Sequence, residues 1–228
     1  METKKIIQAI KKAKENSKDR KFVQSMDLII NLKDINLKNP EEHVDVFTKL
    51  PHQIGKKIKV CALVGPELKE EAKKVCDLTI DSDEFPKFQG NKKELKKLAN
   101  EYDYFIAQAN IMANIAKVFG KVLGSRGKMP NPKAGCVVPP KTNLKPLYDN
   151  LQSTIRLLAK TSPVIYVKVG KEDMKDEEIA DNILSLYNTL IHSLQKEENN
   201  ISSVIIKTTM GKPTRLEKWN QYQKQRKK

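Results

Sequence analysis

The chain has 228 residues, 39% of them hydrophobic, which allows a substantial core and two modest domains and argues against disorder except at the ends. Its formal charge is +15, from 43 lysines and arginines against 28 aspartates and glutamates. That excess favours a polyanionic partner, because cations that neutralise phosphates release their counterions. Nucleic acid is favoured over an acidic membrane surface, and the alternative is a high lysine content without any such partner.

The first predicted element is an amphipathic helix over residues 3–15. Its apolar side chains share one face: Ile6, Ile7, Ile10 and Ala13. Apolar and polar residues then alternate from Met26 to Lys33, with Ile29 as the exception, which predicts a strand with one face in water. Asn39-Pro40 favours a turn, and a polar stretch then leads to Leu50–Gly55.

From about residue 58, apolar runs alternate with helical segments. Strands are predicted at 58–64, 77–80 and 104–107, and helices at 67–75, 91–100 and 109–122. Strands that are buried on both faces and alternate with helices are typical of a parallel α/β layer.

Half-exposed strands return after about residue 152, at 153–158, 163–169 and 201–209, with an amphipathic helix around 176–194. Either flank alone would form a marginal core, so we expect the two flanks to combine. The sequence therefore predicts an α+β domain with a half-exposed antiparallel sheet from residues 1–57 and 152–228. An α/β (Rossmann-like) domain is inserted at 58–151.

Both ends of the chain are basic. Residues 1–21 hold eight cations against three acids, and the last fourteen residues hold six cations against Glu217 alone. Terminal basic arms often contact nucleic acid, although solvated tails are a common alternative.

The segment Leu123–Gly135 is rich in glycine and proline and carries Arg126, Lys128 and Lys133 without an acid. It predicts a rigid basic loop rather than a helix or strand. The Walker phosphate loop GxxxxGK[ST] does not fit, because Val122 replaces the first glycine and Met129 the hydroxyl residue. Binding of RNA phosphates and packing between domains both remain open for this segment.

Other chemical sites are not indicated. A dinucleotide fingerprint is absent, and the acidic run Asp81, Asp83 and Glu84 fits a surface loop better than a cation site. The three histidines lack metal spacing, and the three cysteines form no CxxC pair. No signal peptide or long apolar span occurs. We therefore expect a cytoplasmic protein with no catalytic residue, no metal and no cofactor.

Candidate RNA contacts flank the half-exposed strands: Lys21, Phe22, Ser25 and Asp27 before and in the first strand, and Thr208, Thr209, Met210 and Gly211 at the end of the last. RNA recognition uses flat apolar groups against bases and hydroxyls or carboxylates against 2′-OH groups. Gly211 would let a sugar-phosphate backbone approach closely. From the residues alone, core packing of Phe22 and an ordinary strand role for the threonines are favoured.

The basic segment closely resembles the signature of the ribosomal protein L-one family, Leu-Gly-Pro-Arg-Gly-x-Met-Pro-x-Pro-Lys-x-Gly-Thr. It departs from that pattern at Ser125, where proline is usual, and at Cys136, where threonine is usual. Further family motifs follow in order along nearly the whole chain: Lys21-Phe22, 50–55, 167–171 and 208–211. The stretch 31–38 resembles the archaeal branch.

The resemblance implies a two-domain protein that binds the mobile stalk of large-subunit rRNA, chiefly through the domain built from both termini. It implies help in releasing deacylated tRNA from the exit site, and repression of its own mRNA. It also implies a ribosomal, non-membrane location and a monomer away from the ribosome. The family's RNA contacts carry over onto Lys21, Phe22, Ser25, Asp27, Thr209, Met210 and Gly211, with Thr208 adjacent and Lys168 at one side.

Two other classes remain as alternatives. An RNA-modifying or nucleotide-using enzyme could be built on the α/β domain, although its glycine loop and its nucleophile–base pair are missing. A general DNA-compacting protein would bind duplex DNA as well as folded RNA.

Overall fold

The computed structural model describes residues 3–18 and 20–216. The chain divides into two compact units. Unit 1 is drawn from both ends of the chain, Met1–Gly55 and Ser153–Lys228, and unit 2 is Lys56–Gln152. Most of the predicted basic C-terminal arm, residues 217–228, lies outside the described residues.

Unit 1 is built on an antiparallel four-stranded sheet with two helices packed on one face. The strand order is β10-β9-β1-β8, from Thr214–Arg215, Ile201–Thr208, Ser25–Leu32 and Val164–Lys171. The helices are α1, Thr3–Glu15, and α7, Asp176–Ser193. Met26 of β1 is fully buried, whereas Asp27 faces the other side, so the predicted half-exposed α+β sheet is confirmed.

A second, two-stranded sheet of unit 1 contains a strand that the sequence did not predict. β2 (Val44–Lys49) pairs antiparallel with β7 (Thr154–Ala159). Arg156 of β7 donates two hydrogen bonds to Asp45 of β2, at 2.7 and 2.9 Å, and these bonds lower the pKa of Asp45 to about 2. The strand is held by this cross-strand pair as well as by burial of Val44 and Thr48, and its β-branched residues at alternate positions are a strand signal that the prediction missed.

Unit 2 is an α/β layer around a parallel sheet in the order β4-β3-β5-β6. Its strands are Val60–Val64 (β3), Leu78–Asp81 (β4), Tyr104–Gln108 (β5) and Val137–Val138 (β6). Its helices are Lys69–Val75 (α2), Phe85–Phe88 (α3), Lys92–Glu101 (α4), Met112–Ser125 (α5) and Leu144–Ser153 (α6). All five residues of β3 are buried, with an apolar cluster on each side of the sheet. The predicted α/β class is confirmed, although β6, α3 and α6 were not anticipated.

The end of α5 corrects the prediction for residues 123–135. The helix continues through Ser125 instead of ending at 122, and a Schellman motif then closes it. Gly127 adopts a left-handed φ of 65° and donates its N–H to the Gly124 carbonyl at 3.0 Å, while Lys128 donates its N–H to the Leu123 carbonyl at 2.9 Å. The glycines favour this helix cap as well as a loop, and for that reason glycine content alone misplaced the boundary.

Among the described residues, no helix combines the length and apolar character that a membrane crossing needs. The same part of the chain holds no group of three or more histidine, cysteine, aspartate or glutamate side chains arranged for a metal ion.

Candidate nucleic-acid interface

The sheet of unit 1 brings the two predicted RNA-contacting segments together. Met26 on β1 is paired with Thr208 on β9. Beyond the strand, Thr209 donates its N–H to the Ser25 carbonyl at 2.9 Å, and its hydroxyl lies 3.2 Å from the Ser25 nitrogen. Segments separated by 184 positions in the sequence thus meet at one end of the two central strands, and the surface at this end is called the RNA edge below. We call residues 208–211 the RNA turn.

Gln24 anchors this turn, and the sequence did not single it out. Its side chain is buried, and its Oε1 accepts the Met210 N–H at 3.1 Å. Its Nε2 donates to Ser17 Oγ at 2.7 Å, just beyond the end of α1. A glutamine ahead of a strand carries no signal that separates an exposed from a buried side chain, since burial depends on the distant partners that surround it.

Thr208 and Gly211 shape the turn from inside. Thr208 is fully buried, and its hydroxyl donates to Ser17 Oγ at 3.1 Å. The predicted contact of this hydroxyl with a 2′-OH therefore does not fit, and Thr208 acts as a positioning residue. A Cβ on Gly211 would collide with the same hydroxyl, so glycine is required there by packing within the protein.

Large apolar side chains stand exposed beside this buried scaffold. Phe22 is 57% exposed, Val23 55% and Met210 60%. Core packing of Phe22, the alternative favoured from sequence, is excluded by this exposure. Single exposed apolar residues are common on soluble proteins, but several on segments joined by backbone hydrogen bonds are typical of a contact surface. Lys21, also exposed, adds positive charge next to Phe22.

Asp27 lies on the open face of the sheet between two lysines, opposite Lys168 on β8 and Lys207 on β9. Partial burial raises the pKa of Asp27, and the two lysines oppose that rise. The next outward position along β8 is Tyr166, 71% exposed and paired with Ile29. Tyr166 was not among the predicted site residues, although its outward place in the alternation of β8 gave a usable signal.

The basic segment of unit 2 has different partners. Lys128 Nζ donates to the carbonyls of Ala99 and Tyr102 at 2.9 and 2.7 Å, and Arg126 donates to the carbonyl of Lys96 at 2.9 Å. These carbonyls belong to the last turn of α4 and its C-cap, where cations also complement the helix dipole. Burial lowers the pKa of Lys128. Of the three predicted cations, Arg126 and Lys133 are exposed and Lys128 is partly buried, and all three belong to unit 2.

Other candidate groups of unit 2 are accounted for internally. Asp81 accepts an ion pair from Lys69 at 2.7 Å, which lowers the pKa of its carboxyl. Cys136, at the usual threonine position of the family signature, is buried, and burial raises the pKa of its thiol to about 11. These groups therefore do not form a reactive centre.

Comparison with known proteins gives a consistent family. A model described as "Ribosomal protein L1p/L10e family" matches residues 9–212. The chain is 42% identical over 212 residues to "Large ribosomal subunit protein uL1" of Methanothermobacter thermautotrophicus, covering 92% of this chain and 98% of that protein. It is 40% identical over 218 residues to the protein of the same name from Methanothermococcus thermolithotrophicus, covering 96% and 100%. For that of Pyrococcus horikoshii the identity is 40% over 214 residues, covering 93% and 95%.

Proposed function

From the premise that the chain belongs to the ribosomal protein L1p/L10e family, we propose that it acts in the large ribosomal subunit by binding folded rRNA through unit 1. Its role as a structural constituent of that subunit follows from the family. We further assign the RNA contact to the edge formed by Lys21–Asp27 and the RNA turn, flanked by Lys168. In this proposal the protein works by binding and not by catalysis.

One observation carries the assignment to this edge. The side chains of Gln24 and Thr208 are buried and both hydrogen-bond to the partly buried Ser17 hydroxyl, whereas Phe22 and Met210 project outward. A rigid, internally satisfied scaffold that presents apolar side chains is suited to flat base and ribose surfaces, and neighbouring lysines would contact phosphates. This arrangement favours recognition of RNA shape, with salt-sensitive affinity from the charges.

Within this function, the resemblance of the motifs to the family supports a finer proposal. The rRNA would be the mobile stalk, and the protein would help the stalk move as deacylated tRNA leaves the exit site. An mRNA that presents the same folded motif would compete for the same edge, which would allow repression of the protein's own synthesis.

The test is binding of a stalk rRNA fragment by Met210→Ala. Loss of the apolar contact that the Met210 side chain would bury against the RNA is expected to weaken affinity by about 1–2 kcal/mol, roughly 5- to 30-fold. Thr209→Ala is expected to have a smaller effect in the same direction, because its hydroxyl also bonds the Ser25 backbone. Leu158→Ala, another exposed apolar residue of unit 1, is the matched control. Unchanged affinity of Met210→Ala would refute the proposed edge.

The predicted division into domains has its own test. A chain joining residues 1–55 to 153–228 is expected to fold and to bind the fragment within a few-fold of the full chain. A folded product without specific binding would contradict the assignment to unit 1.

Competition separates this proposal from the other classes. Equal affinity for stalk RNA and for duplex DNA at moderate salt would indicate a general DNA-compacting protein. Tight binding of ATP or a dinucleotide would favour an enzyme built on unit 2.

A further inference from the structure

A basic groove lies between α1 and β10 in unit 1, apart from the proposed RNA edge. Its cavity volume is about 410 Å³, and its lining includes Lys5, Lys12, Asn16, Pro213, Thr214 and Arg215. Lys5, Lys12 and Asn16 lie seven and four positions apart, so α1 presents them as one stripe. Two short elements from opposite ends of the chain thus enclose a cleft with cations on both walls.

The chemistry of the groove favours an anion. Three cations line it, and among its described lining residues there is no carboxylate. Thr214 also lines it, but its side chain is nine-tenths buried and its hydroxyl oxygen is closed off from the surface. The cations on the two walls therefore carry the attraction for an anion.

The groove continues from the RNA turn. Asn16 precedes Ser17, which accepts the hydrogen bond from Thr208, and Pro213 follows Gly211 by two positions. An RNA strand held at the turn would reach the groove within a short distance. The remaining segment of this chain is a poor occupant: residues 217–228 carry five cations against Glu217 and would repel the walls.

We propose that this groove binds phosphodiester groups of the same RNA, as a second contact that adds affinity without reading sequence. The inference rests on the proposed function, because it requires RNA at the turn. Lys12 and Arg215 would each neutralise about one phosphate.

The neighbouring lysine provides a matched control. Lys11 follows the same helix and carries the same charge, but it lines a different cavity together with Asp176 and Glu177. Lys12→Gln and Lys11→Gln therefore change the net charge equally and differ only in which face of α1 loses a cation.

The experiment measures affinity for the rRNA fragment against salt concentration in the full chain. For Lys12→Gln and for Arg215→Gln, the slope of log K against log salt should become shallower by about 0.7–0.9, the value for one lost phosphate contact. Lys11→Gln should retain the parent slope. Equal slopes for Lys12→Gln and Lys11→Gln would refute binding in the groove and would indicate that these lysines act only through the overall positive charge of the protein. Melting by circular dichroism verifies that each variant is folded.

Met210→Ala separates the two proposals in the same assay. If Met210→Ala weakens RNA binding at an unchanged salt slope while Lys12→Gln and Lys11→Gln give equal slopes, RNA binding at the edge is supported and RNA binding in the groove is refuted. If Met210→Ala has no effect, the proposed edge itself is refuted.

Discussion

The basic segment of unit 2 and the RNA turn of unit 1 use their polar groups in opposite ways. In the basic segment, the partly buried Lys128 and the exposed Arg126 donate hydrogen bonds to carbonyls of α4 and its C-cap. In the RNA turn, the side chains of Gln24 and Thr208 hydrogen-bond within the protein and the apolar Met210 faces solvent. The most recognisable motif of the family thus bonds to its own domain, whereas a short and plain motif presents the proposed contact surface.

A characteristic string of residues need not be a binding site. Gly127 closes a helix cap with a positive φ, and the partly buried Lys128 donates to two backbone carbonyls; both positions demand particular residue types. Requirements of folding such as these can restrict the residue types of a segment as strongly as ligand binding does. Substitutions that separate folding from binding can test this difference.

The largest effect is expected for Gly211→Ala in the RNA turn. The new Cβ collides with the Thr208 hydroxyl, which must rotate away from Ser17. Unit 1 should lose about 2 kcal/mol of stability, with weaker RNA binding, because the turn no longer holds Met210 in place. Thermal unfolding and RNA titration measure the two losses.

Gly124→Ala in the basic segment is the matched control. Apart from its chain neighbours and the backbone of its own helix, no atom of the described residues lies within 4 Å of the position that its Cβ would take, and the residue lies in a helix. Alanine should raise the stability of unit 2 by about 0.5 kcal/mol and leave RNA affinity unchanged. Equal sensitivity of the two glycines would break the contrast between the regions.

A smaller loss is expected for Lys128→Met. The carbonyls of Ala99 and Tyr102 lose their donor, which should lower the free energy of unfolding by about 1–2 kcal/mol. RNA affinity should not change. Lys133→Met, which removes an exposed charge from the same segment, should leave stability within about 0.5 kcal/mol. Weaker RNA binding by the folded Lys128→Met protein would show that this cation also contacts the ligand.

The smallest effect is expected for Asp27→Asn on the sheet face. Burial raises the pKa of Asp27 above its usual 3.8, so its ionised form is less favourable in the folded than in the unfolded protein. The asparagine variant should be more stable at pH 7 by about 0.5 kcal/mol or less, and the gain should vanish below about pH 4, where Asp27 is protonated in both states. RNA affinity should nevertheless fall. A stability gain that persisted at pH 3 would contradict the burial argument.

The sequence predicted those parts of the fold that depend on local periodicity. β1 alternates clearly, and each residue of β3 is apolar, so both were predicted close to their observed limits. β2 was missed although Val44, Val46 and Thr48 stand at alternate positions and give a usable strand signal. What periodicity could not show is its partner, because Asp45 pairs with Arg156 across a gap of 111 positions. β10 is two residues long and exists only through pairing with β9.

The candidate site divides in the same way. Phe22 and Met210 were selected by their residue type, and both are exposed. Thr208 was selected for its hydroxyl but is buried, and Gln24 was passed over although it holds the turn. Which polar side chain faces inward depends on Ser17 at the end of a different element, so residue type alone could not decide it.

The pairing of Ser25 with Thr209 has a consequence for protein synthesis. The two residues lie 184 positions apart, and all of unit 2 is made between them. A nascent or prematurely terminated chain that ends before residue 208 lacks half of the RNA edge, however well unit 2 has folded. Only chains that extend beyond residue 211 contain both segments, so this surface is completed after all of unit 2 has been made.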